Sequence, residues 1–238
     1  MHDTALEIGK AFFEAYAKSG AIVVEVGSRN VNGSLRDVCR RDVTYIGLDI
    51  ESGPKVDVVV DPQSSLPLQS DIADIVVSSS AFEHDAFFWQ TFLEMTRLAK
   101  PGGVVYINAP SNGKYHRHPE DNWRFYPDAG RALVRWATKS GHQMTLIESF
   151  VAERRADIWS DFVAIFMKSN VVSERREFLS SNVPCTNIWR IDATQPQNLR
   201  ELSEDMSIAF KLRAKITRLR EIVRKRDTKR KKDVHISG

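Results

Sequence analysis

The chain has 238 residues, of which 42% are hydrophobic and 27% are charged, and its formal net charge is +3. This composition is globular and excludes a disordered chain, and no run of eighteen apolar residues is present that would span a membrane. The length allows one main domain with an appendage.

Charge is distributed unevenly along the chain. Twelve Lys/Arg and three Asp/Glu follow from Lys211 to the end, which gives this segment a net charge of +9. The preceding residues therefore sum to −6. An acidic body with a basic tail indicates that the tail is an interaction appendage.

Two features indicate the cellular compartment. The first twenty residues form an amphipathic helical pattern with acidic side chains, which is unlike the basic start and uniform apolar centre of a signal peptide. Cys39 and Cys185 lie far apart and in no metal-binding pattern. We therefore expect a cytoplasmic protein with plain thiols and no metal site.

Strands and helices alternate along the first part of the chain. A helical spacing of apolar residues over 86–103 ends in Lys-Pro-Gly-Gly, an order typical of a helix stop and turn. Five β-branched or apolar runs surround it and predict strands at 21–26, 43–50, 56–60, 72–80 and 102–110. This alternation predicts a doubly wound α/β sheet.

The second part of the chain begins with a long polar loop, 111–127. A helix is predicted at 127–141, and two closing strands follow before residue 168. We expect a domain over 1–168, an irregular linker over 169–198, a basic amphipathic helical arm over 199–228 and a disordered tail over 229–238. The arm carries an apolar stripe with four-three-four spacing, formed by Leu212, Ile216, Leu219 and Val223.

Polar residues and glycine follow the predicted strands. Ligands of doubly wound sheets bind at the carboxyl ends of the strands, so these positions are candidates for a site. Glu25 and Gly27 end the first strand, and Asp49 ends the second, twenty-four residues after Glu25. This offset is typical of a carboxylate that binds ribose hydroxyls in nucleotide-binding units. Asp61 ends the third strand.

The ordered series "VVEVGS", "YIGLDI", "DPQSSLPLQSDIADIVVSSSAFEH" and "LAKPGGVVYINAPS" resembles the class I S-adenosylmethionine-dependent methyltransferases of the type 11 group. The resemblance covers about residues 10–168 and implies a Rossmann-like, mostly parallel, seven-stranded sheet. It also implies S-adenosylmethionine as the cofactor. The implied cofactor-binding residues are Glu25, Gly27, Ser28, Asp49, Ile50, Asp61, Leu66 and Ser79.

The sequence departs from the family in its first loop, where Arg29 and Val31 replace two glycines. S-adenosylmethionine has no pyrophosphate that would need a bare backbone, so this departure matters less than in a dinucleotide site. Structural alternatives remain open for the acids: Glu25 and Asp49 could cap helices, and Asp61 could form a turn. His84 could pack at a helix start.

The loop 111–127 follows the fifth strand and is long enough to cover the cofactor edge as a lid. Its pattern His116-x-x-Pro119-x-Asp121-x-Trp123-Arg124-Phe125-x-Pro127 resembles type 11 methyltransferases of bacterial glycan biosynthesis. We predict His116 as a general base, Asp121 as its orienting or acceptor-binding partner and Arg124 as a contact for an acceptor anion.

Other roles for the lid remain open. His118 is the rival base. Trp123 or Phe125 could stack on a sugar face, or the aromatic side chains could anchor the loop while Asp121 and Arg124 form an ion pair that holds its shape.

The function predicted from these features is methyl transfer to a small-molecule or glycan acceptor, at a hydroxyl oxygen. A non-catalytic binding module of the same fold is the alternative, and RNA methylation is less favoured because "SSSAFEH" stands where an Asn-Pro-Pro-Tyr type motif would be. For the arm, we expect an anionic membrane surface at the inner face or self-association, with nucleic acid less favoured.

Overall fold

The computed structural model describes residues 2–169 and 177–236, with the backbone alone for residue 204 and for residues 223–236. Eight strands form one sheet: β1 (Ile22–Val26), β2 (Thr44–Asp49), β3 (Val58–Val59), β4 (Ala73–Ser79), β5 (Ala99–Pro110), β6 (Thr145–Ala152), β7 (Asp161–Met167) and β8 (Cys185–Arg190). Their order in the sheet is β3-β2-β1-β4-β5-β7-β6-β8. β1 to β5 pair in parallel, and β7 and β8 join antiparallel. The predicted doubly wound α/β fold is confirmed.

Helices cover the sheet: α1 (Asp3–Tyr16), α2 (Leu35–Val38), α3 (Phe88–Leu98) and α4 (Ala129–Lys139). Successive strand residues point to opposite faces, so each strand contributes to two cores. On one face Val23 packs in a cluster with Phe12 of α1, and on the other Val24 packs with Phe92 of α3. Burial on both faces explains why these strands are continuous apolar runs.

The segment predicted as an irregular linker, 169–198, contains β8 and a short 3₁₀ turn, Leu179–Ser181. The buried Glu148 carboxylate of β6 accepts the backbone N–H groups of Leu179 (2.6 Å) and Ser180 (3.1 Å), which ties this turn to the sheet. The sheet therefore has eight strands instead of seven, and the first compact unit ends at Leu199. Residues 170–176 lie outside the described residues.

β8 is hard to recognise from sequence because its alternation of side chains is interrupted. Asn187 has a left-handed backbone (φ 54°), and the register with β6 shifts between Ser149 and Val151. A bulge of this kind removes the period of two on which strand prediction depends.

The second compact unit begins at Arg200 and consists mainly of α5 (Glu204–Ile236). The helix continues through residue 229, where a disordered tail was predicted, because Lys and Arg are favourable helix formers. Residues 237–238 lie outside the described residues. Leu212, Ile216 and Leu219 of the predicted stripe are exposed. Among the described residues, every helix is too short or too polar to cross a bilayer.

Candidate functional site

Four strand ends converge where the order of the strands reverses, between β1 and β4. The N–H groups of Gly27 (2.9 Å) and Ser28 (3.0 Å), after β1, both donate to the carbonyl of Leu48 in β2. The N–H of Ser80, after β4, donates to the carbonyl of Asn108 in β5 (2.9 Å). Ligands bind at such a reversal in doubly wound sheets, so these loops form the candidate site.

Glu25 lies buried beneath the loop that follows β1. The Tyr45 hydroxyl donates to its Oε2 atom at 2.8 Å. Burial raises the pKa of Glu25 to about 7, although the bond from Tyr45 opposes this shift. The carboxyl can therefore lose its proton near neutral pH when a positive charge binds beside it.

Gly27 forms the tight turn directly after Glu25 and has a left-handed backbone (φ 82°). A Cβ atom at this position would lie 2.5 Å from the Cβ atom of Ala81, which follows β4. Only glycine lets these two loops approach so closely. The structure thus gives a physical reason for the glycine retained in the first motif.

Asp49 ends β2 and binds the backbone of two loops. Its Oδ2 atom accepts the N–H of Arg29 at 2.9 Å and its Oδ1 atom accepts the N–H of Glu51 at 3.1 Å. Each carboxylate oxygen has further lone pairs that can accept ribose hydroxyls. Ile50 is 47% exposed beside it and can contact a ligand.

The two residues that replace glycines in the first loop are turned outward. The Arg29 guanidinium pairs with the Glu51 carboxylate, and the Val31 side chain is exposed. The substitution is therefore accommodated at the surface.

Asp61 adopts the turn-forming arrangement that was the alternative to a binding role. Its carboxylate accepts the N–H of Gln63 and the hydroxyl of Ser64, both at 2.9 Å, and these bonds lower its pKa. Leu66 is partly buried against the core, and its N–H donates to Glu94 Oε2 (2.8 Å). Both remain predicted adenine contacts on the resemblance alone.

Several buried polar groups line the converging strand ends without a hydrogen-bond partner among the described residues. They include the hydroxyls of Ser28 and Ser79 and the Oε2 atom of Glu83. Burying an unpaired polar group costs about 1–3 kcal/mol, so several at one place indicate a ligand site. Hydroxyls and carboxyls fit the amino-acid part of S-adenosylmethionine, whose ammonium and carboxylate need such partners.

The lid, residues 111–127, lies against the segment that follows β4. The N–H groups of Asn122 (2.7 Å) and Trp123 (3.1 Å) donate to the Glu83 carbonyl, and Trp123 Nε1 donates to the carbonyl of Asp85 (2.9 Å). Phe125 is buried in the core, whereas Trp123 is 38% exposed. Phe125 therefore anchors the lid, as one alternative predicted, and of these two side chains Trp123 keeps a surface for stacking.

Asp121 and Arg124 hold the shape of the lid. Arg124 donates to both carboxylate oxygens of Asp121 (2.6 and 2.9 Å), to the Trp123 carbonyl (2.7 Å) and to the Lys114 carbonyl (2.8 Å). Burial raises the pKa of Asp121, but Arg124 and the backbone N–H of His116 outweigh burial and lower it to about 2. These contacts match the structural alternative for the pair.

His116 lies half-buried between other rings. Its ring centre is 4.8 Å from that of Trp159 and 4.9 Å from that of His84, and its Nδ1 atom is 3.5 Å from Asp121 Oδ2. The ring of His118 lies 6.2 Å from that of His84. The structure thus brings three histidines to one edge of the site.

The sequence did not predict a second group of residues beside the lid, which comes from the N-terminal helix and from the start of β7. His2 Nε2 lies 2.6 Å from Asp161 Oδ1, and the Thr4 hydroxyl donates to the other oxygen of this buried carboxylate at 2.6 Å. The His2 ring stacks on Trp159 at 6.0 Å. No motif marks these positions, because His2 and Thr4 precede the first strand of the sheet, and α4 and β6 separate the lid from Trp159 and Asp161.

The comparisons with known sequences identify a domain. The family model of a type 11 methyltransferase domain matches residues 11–107, which is about two fifths of the chain. An uncharacterized methyltransferase of Mycobacterium bovis (strain BCG / Pasteur 1173P2) is 38% identical over 79 residues, which cover 33% of this chain and 31% of the relative. The chain therefore spans about a third of the length of the curated relatives it matches.

Solved structures share the fold at low sequence identity. The Burkholderia thailandensis 1,6-didemethyltoxoflavin-N1-methyltransferase, with bound S-adenosylhomocysteine, has a TM-score of 0.53 at 16% identity, covering 70% of this chain and 79% of that one. The [4+2]-cyclase SpnF has a TM-score of 0.51 at 12% identity, covering 69% and 81%. At this identity the likeness shows the fold alone.

Proposed function

We propose that this protein transfers a methyl group from S-adenosylmethionine to a hydroxyl oxygen of a small-molecule or glycan acceptor. The observation that carries the proposal is the pair of unpartnered buried hydroxyls of Ser28 and Ser79 at the converging strand ends. They lie in or beside a chain segment that matches a methyltransferase domain.

The cofactor supplies a methyl group on a positively charged sulfonium, and the chain's own residues hold it. Gly27 offers a bare backbone beside the amino-acid part, and Asp49 offers lone pairs to the ribose. Ile50 and Leu66 offer apolar surface to the adenine. Glu25, buried and close to its ionisation point, can compensate positive charge near β1.

Methyl transfer is an in-line displacement, so the acceptor oxygen must lie about 3 Å from the methyl carbon and away from water. The lid meets this need, because it lies on the segment after β4 and carries His116 at its inner edge. A hydroxyl must also lose a proton, for which an imidazole has a suitable intrinsic pKa. Because lid contacts occupy Asp121 and Arg124, we assign them to positioning His116, and His118 remains the rival base.

We expect His116→Ala to lower methyl transfer to a hydroxyl acceptor at least about 100-fold, because general-base catalysis contributes about 100- to 10,000-fold. Cofactor affinity should stay within about twofold. Transfer of labelled methyl to a panel of sugar nucleotides and glycan termini measures the first quantity, and calorimetry measures the second.

His142→Ala, a change outside the lid, is the control and should retain turnover. Equal turnover in His116→Ala and the parent would remove His116 from the reaction. A loss confined to His118→Ala would assign the base to His118.

For α5, we propose reversible attachment to an anionic membrane surface. The helix combines exposed Leu212, Ile216 and Leu219 with a dense series of Lys and Arg. Each basic residue near an anionic leaflet contributes about 1 kcal/mol, so a part of the series suffices at low salt. Self-association through the same stripe is the alternative.

We expect the full chain to co-sediment with vesicles that contain anionic lipid and to be released at about 0.5 M salt, where charges are screened within about 4 Å. The double variant Leu212→Gln/Leu219→Gln should bind more weakly at equal charge. If the chain ignores anionic vesicles, the membrane proposal fails. A dimer that becomes a monomer in the double variant would then favour self-association.

A further inference from the structure

We propose that Glu83, His84 and His116 form a binding site for a divalent transition-metal ion, with Zn²⁺ as the first choice. One potential ligand atom from each side chain lies within 4.8 Å of the other two. Glu83 and His84 follow β4, whereas His116 comes from the lid. The site therefore exists only where the lid lies on the segment after β4.

The orientation of His84 suits a metal ligand. Its Nδ1 atom hydrogen-bonds the backbone carbonyl of Glu120, which can only accept, so Nδ1 carries the proton. The lone pair of the neutral ring is therefore on Nε2, which lies 3.7 Å from Glu83 Oε1. Ligand histidines in metal sites are fixed in this way by a bond from their other ring nitrogen.

His116 lies beside the Asp121–Arg124 pair, and Arg124 Nη2 is 3.5 Å from its Nδ1 atom. Its Nδ1 atom lies 3.5 Å from Asp121 Oδ2, and its backbone N–H donates to the same oxygen at 2.7 Å. Asp121 is itself held by the bidentate contact with Arg124. These contacts position the His116 ring from its Nδ1 side, as the groups around a metal site position ligand histidines.

Glu83 supplies the observation that points to a ligand independently of the histidines. Its side chain is 2% exposed, and its Oε2 atom has no hydrogen-bond partner among the described residues. A buried carboxyl with an unused oxygen beside two imidazoles is costly to fold unless a cation or another donor compensates it. A bound ion would supply that compensation.

The chemistry of the three ligands narrows the choice of metal. Two imidazoles and one carboxylate are the protein ligands of several catalytic zinc sites, and they leave a position open for a further ligand. A hard ion such as Mg²⁺ or Ca²⁺ prefers oxygen ligands. Zinc bonds of about 2.0–2.1 Å place tetrahedral ligand atoms about 3.4 Å apart, so ligand atoms that lie within 4.8 Å of one another need to approach by up to about 1.4 Å.

The role of the ion rests on the proposed function, whereas its binding does not. An acceptor hydroxyl at the open position would lose its proton more easily, as zinc lowers the pKa of bound water to about 7. The oxygen then forms a bond to the methyl carbon while the carbon–sulfur bond breaks and its electron pair stays on sulfur. Because the lone pair of His116 is then bound to the ion, His116 acts as a ligand and not as the base, and the released proton passes to His118 or to solvent. The ion would also orient the acceptor beneath the lid.

The site is tested by titrating the untagged full chain with zinc at pH 7.5 in a calorimeter, after a chelator has removed bound metal. We expect one Zn²⁺ ion per chain with a Kd in the micromolar range or tighter. Co²⁺ should give the visible absorption bands of a four- or five-coordinate site. His84→Gln, His116→Gln and Glu83→Gln should each weaken zinc binding at least about 100-fold, whereas His142→Gln should bind as the parent does.

No saturable binding by the parent chain would overturn the site, and so would binding that His84→Gln and His116→Gln leave unchanged. Binding of S-adenosylhomocysteine, measured on the same samples, separates this result from the proposed function. A chain that binds S-adenosylhomocysteine without zinc would lose only the metal site. Circular dichroism of each variant shows that a loss of zinc binding does not come from unfolding.

Discussion

Gly27→Ala is expected to destabilise the domain by about 2–5 kcal/mol and to abolish measurable cofactor binding. A left-handed backbone costs about 1–2 kcal/mol for a residue with a Cβ atom. Overpacking adds about 1–3 kcal/mol, because the new methyl group would lie 2.5 Å from Ala81. Denaturant unfolding measures the first effect and calorimetry with S-adenosylhomocysteine measures the second.

Gly141→Ala is the matched control. Gly141 also has a left-handed backbone (φ 85°), but an added Cβ atom would have no neighbour within 4 Å. Its substitution should cost only the backbone term of about 1–2 kcal/mol and leave cofactor affinity unchanged. Equal losses of stability in the two variants would show that the contact between the loops after β1 and β4 does not constrain Gly27.

Asp121→Ala is expected to open the lid. The Asp121 carboxylate is 2% exposed and binds both terminal nitrogens of Arg124 and the backbone of His116. Its removal leaves a cation partly buried, which costs about 2–3 kcal/mol, since Arg124 keeps some access to water. Tryptic cleavage after the exposed Arg117 should then accelerate about 30- to 100-fold, because cleavage follows the population of the open lid.

Glu120→Ala removes the same charge from the neighbouring, exposed side chain and should change the cleavage rate by less than about threefold. Mass spectrometry of early digests identifies the cut. If Asp121→Ala and the parent are cleaved equally fast, the Asp121–Arg124 pair does not hold the lid. The pair would then be available for the acceptor contact that the sequence suggested.

The fold could be predicted where each strand is buried on both faces. Such strands are continuous apolar runs, and their carboxyl ends carry Glu25 and Asp49 in a recognisable order. β8 could not be predicted, because a left-handed Asn187 and a shifted register break its alternation at the edge of the sheet. The last helix extends further than predicted, since local charge gives no clear signal for where a helix made of Lys and Arg ends.

The sequence predicts which strand ends and which loop lie near the candidate site, but it does not predict the contacts between them. The offset between Glu25 and Asp49 and the position of the lid both follow from strand order. The cluster of Glu83, His84 and His116 did not, because thirty-two residues separate His84 from His116 and only the docking of the lid brings them together. Similarly, the sequence left Arg124 with an acceptor role as well as a lid role, and its hydrogen bonds within the lid favour positioning.

The alternative of a non-catalytic binding module of the same fold remains a distinct hypothesis about this chain. Fold alone does not establish activity, and the likeness to a [4+2]-cyclase illustrates the range of functions on this fold. Arg29 and Val31, which stand where the family has glycines, lie at the surface of the first loop. Their outward position argues for an intact pocket. Cofactor binding separates the two hypotheses.

Calorimetry of the full chain with S-adenosylhomocysteine is the most direct test of the account. We predict one site with a Kd in the micromolar range, and Asp49→Ala should weaken binding by about 1–3 kcal/mol, because ribose hydroxyls would be buried without an acceptor. Asp61→Ala, at a carboxylate engaged in its own turn, should weaken it less. No heat and no thermal shift with millimolar S-adenosylmethionine or S-adenosylhomocysteine would contradict the account and favour the binding module.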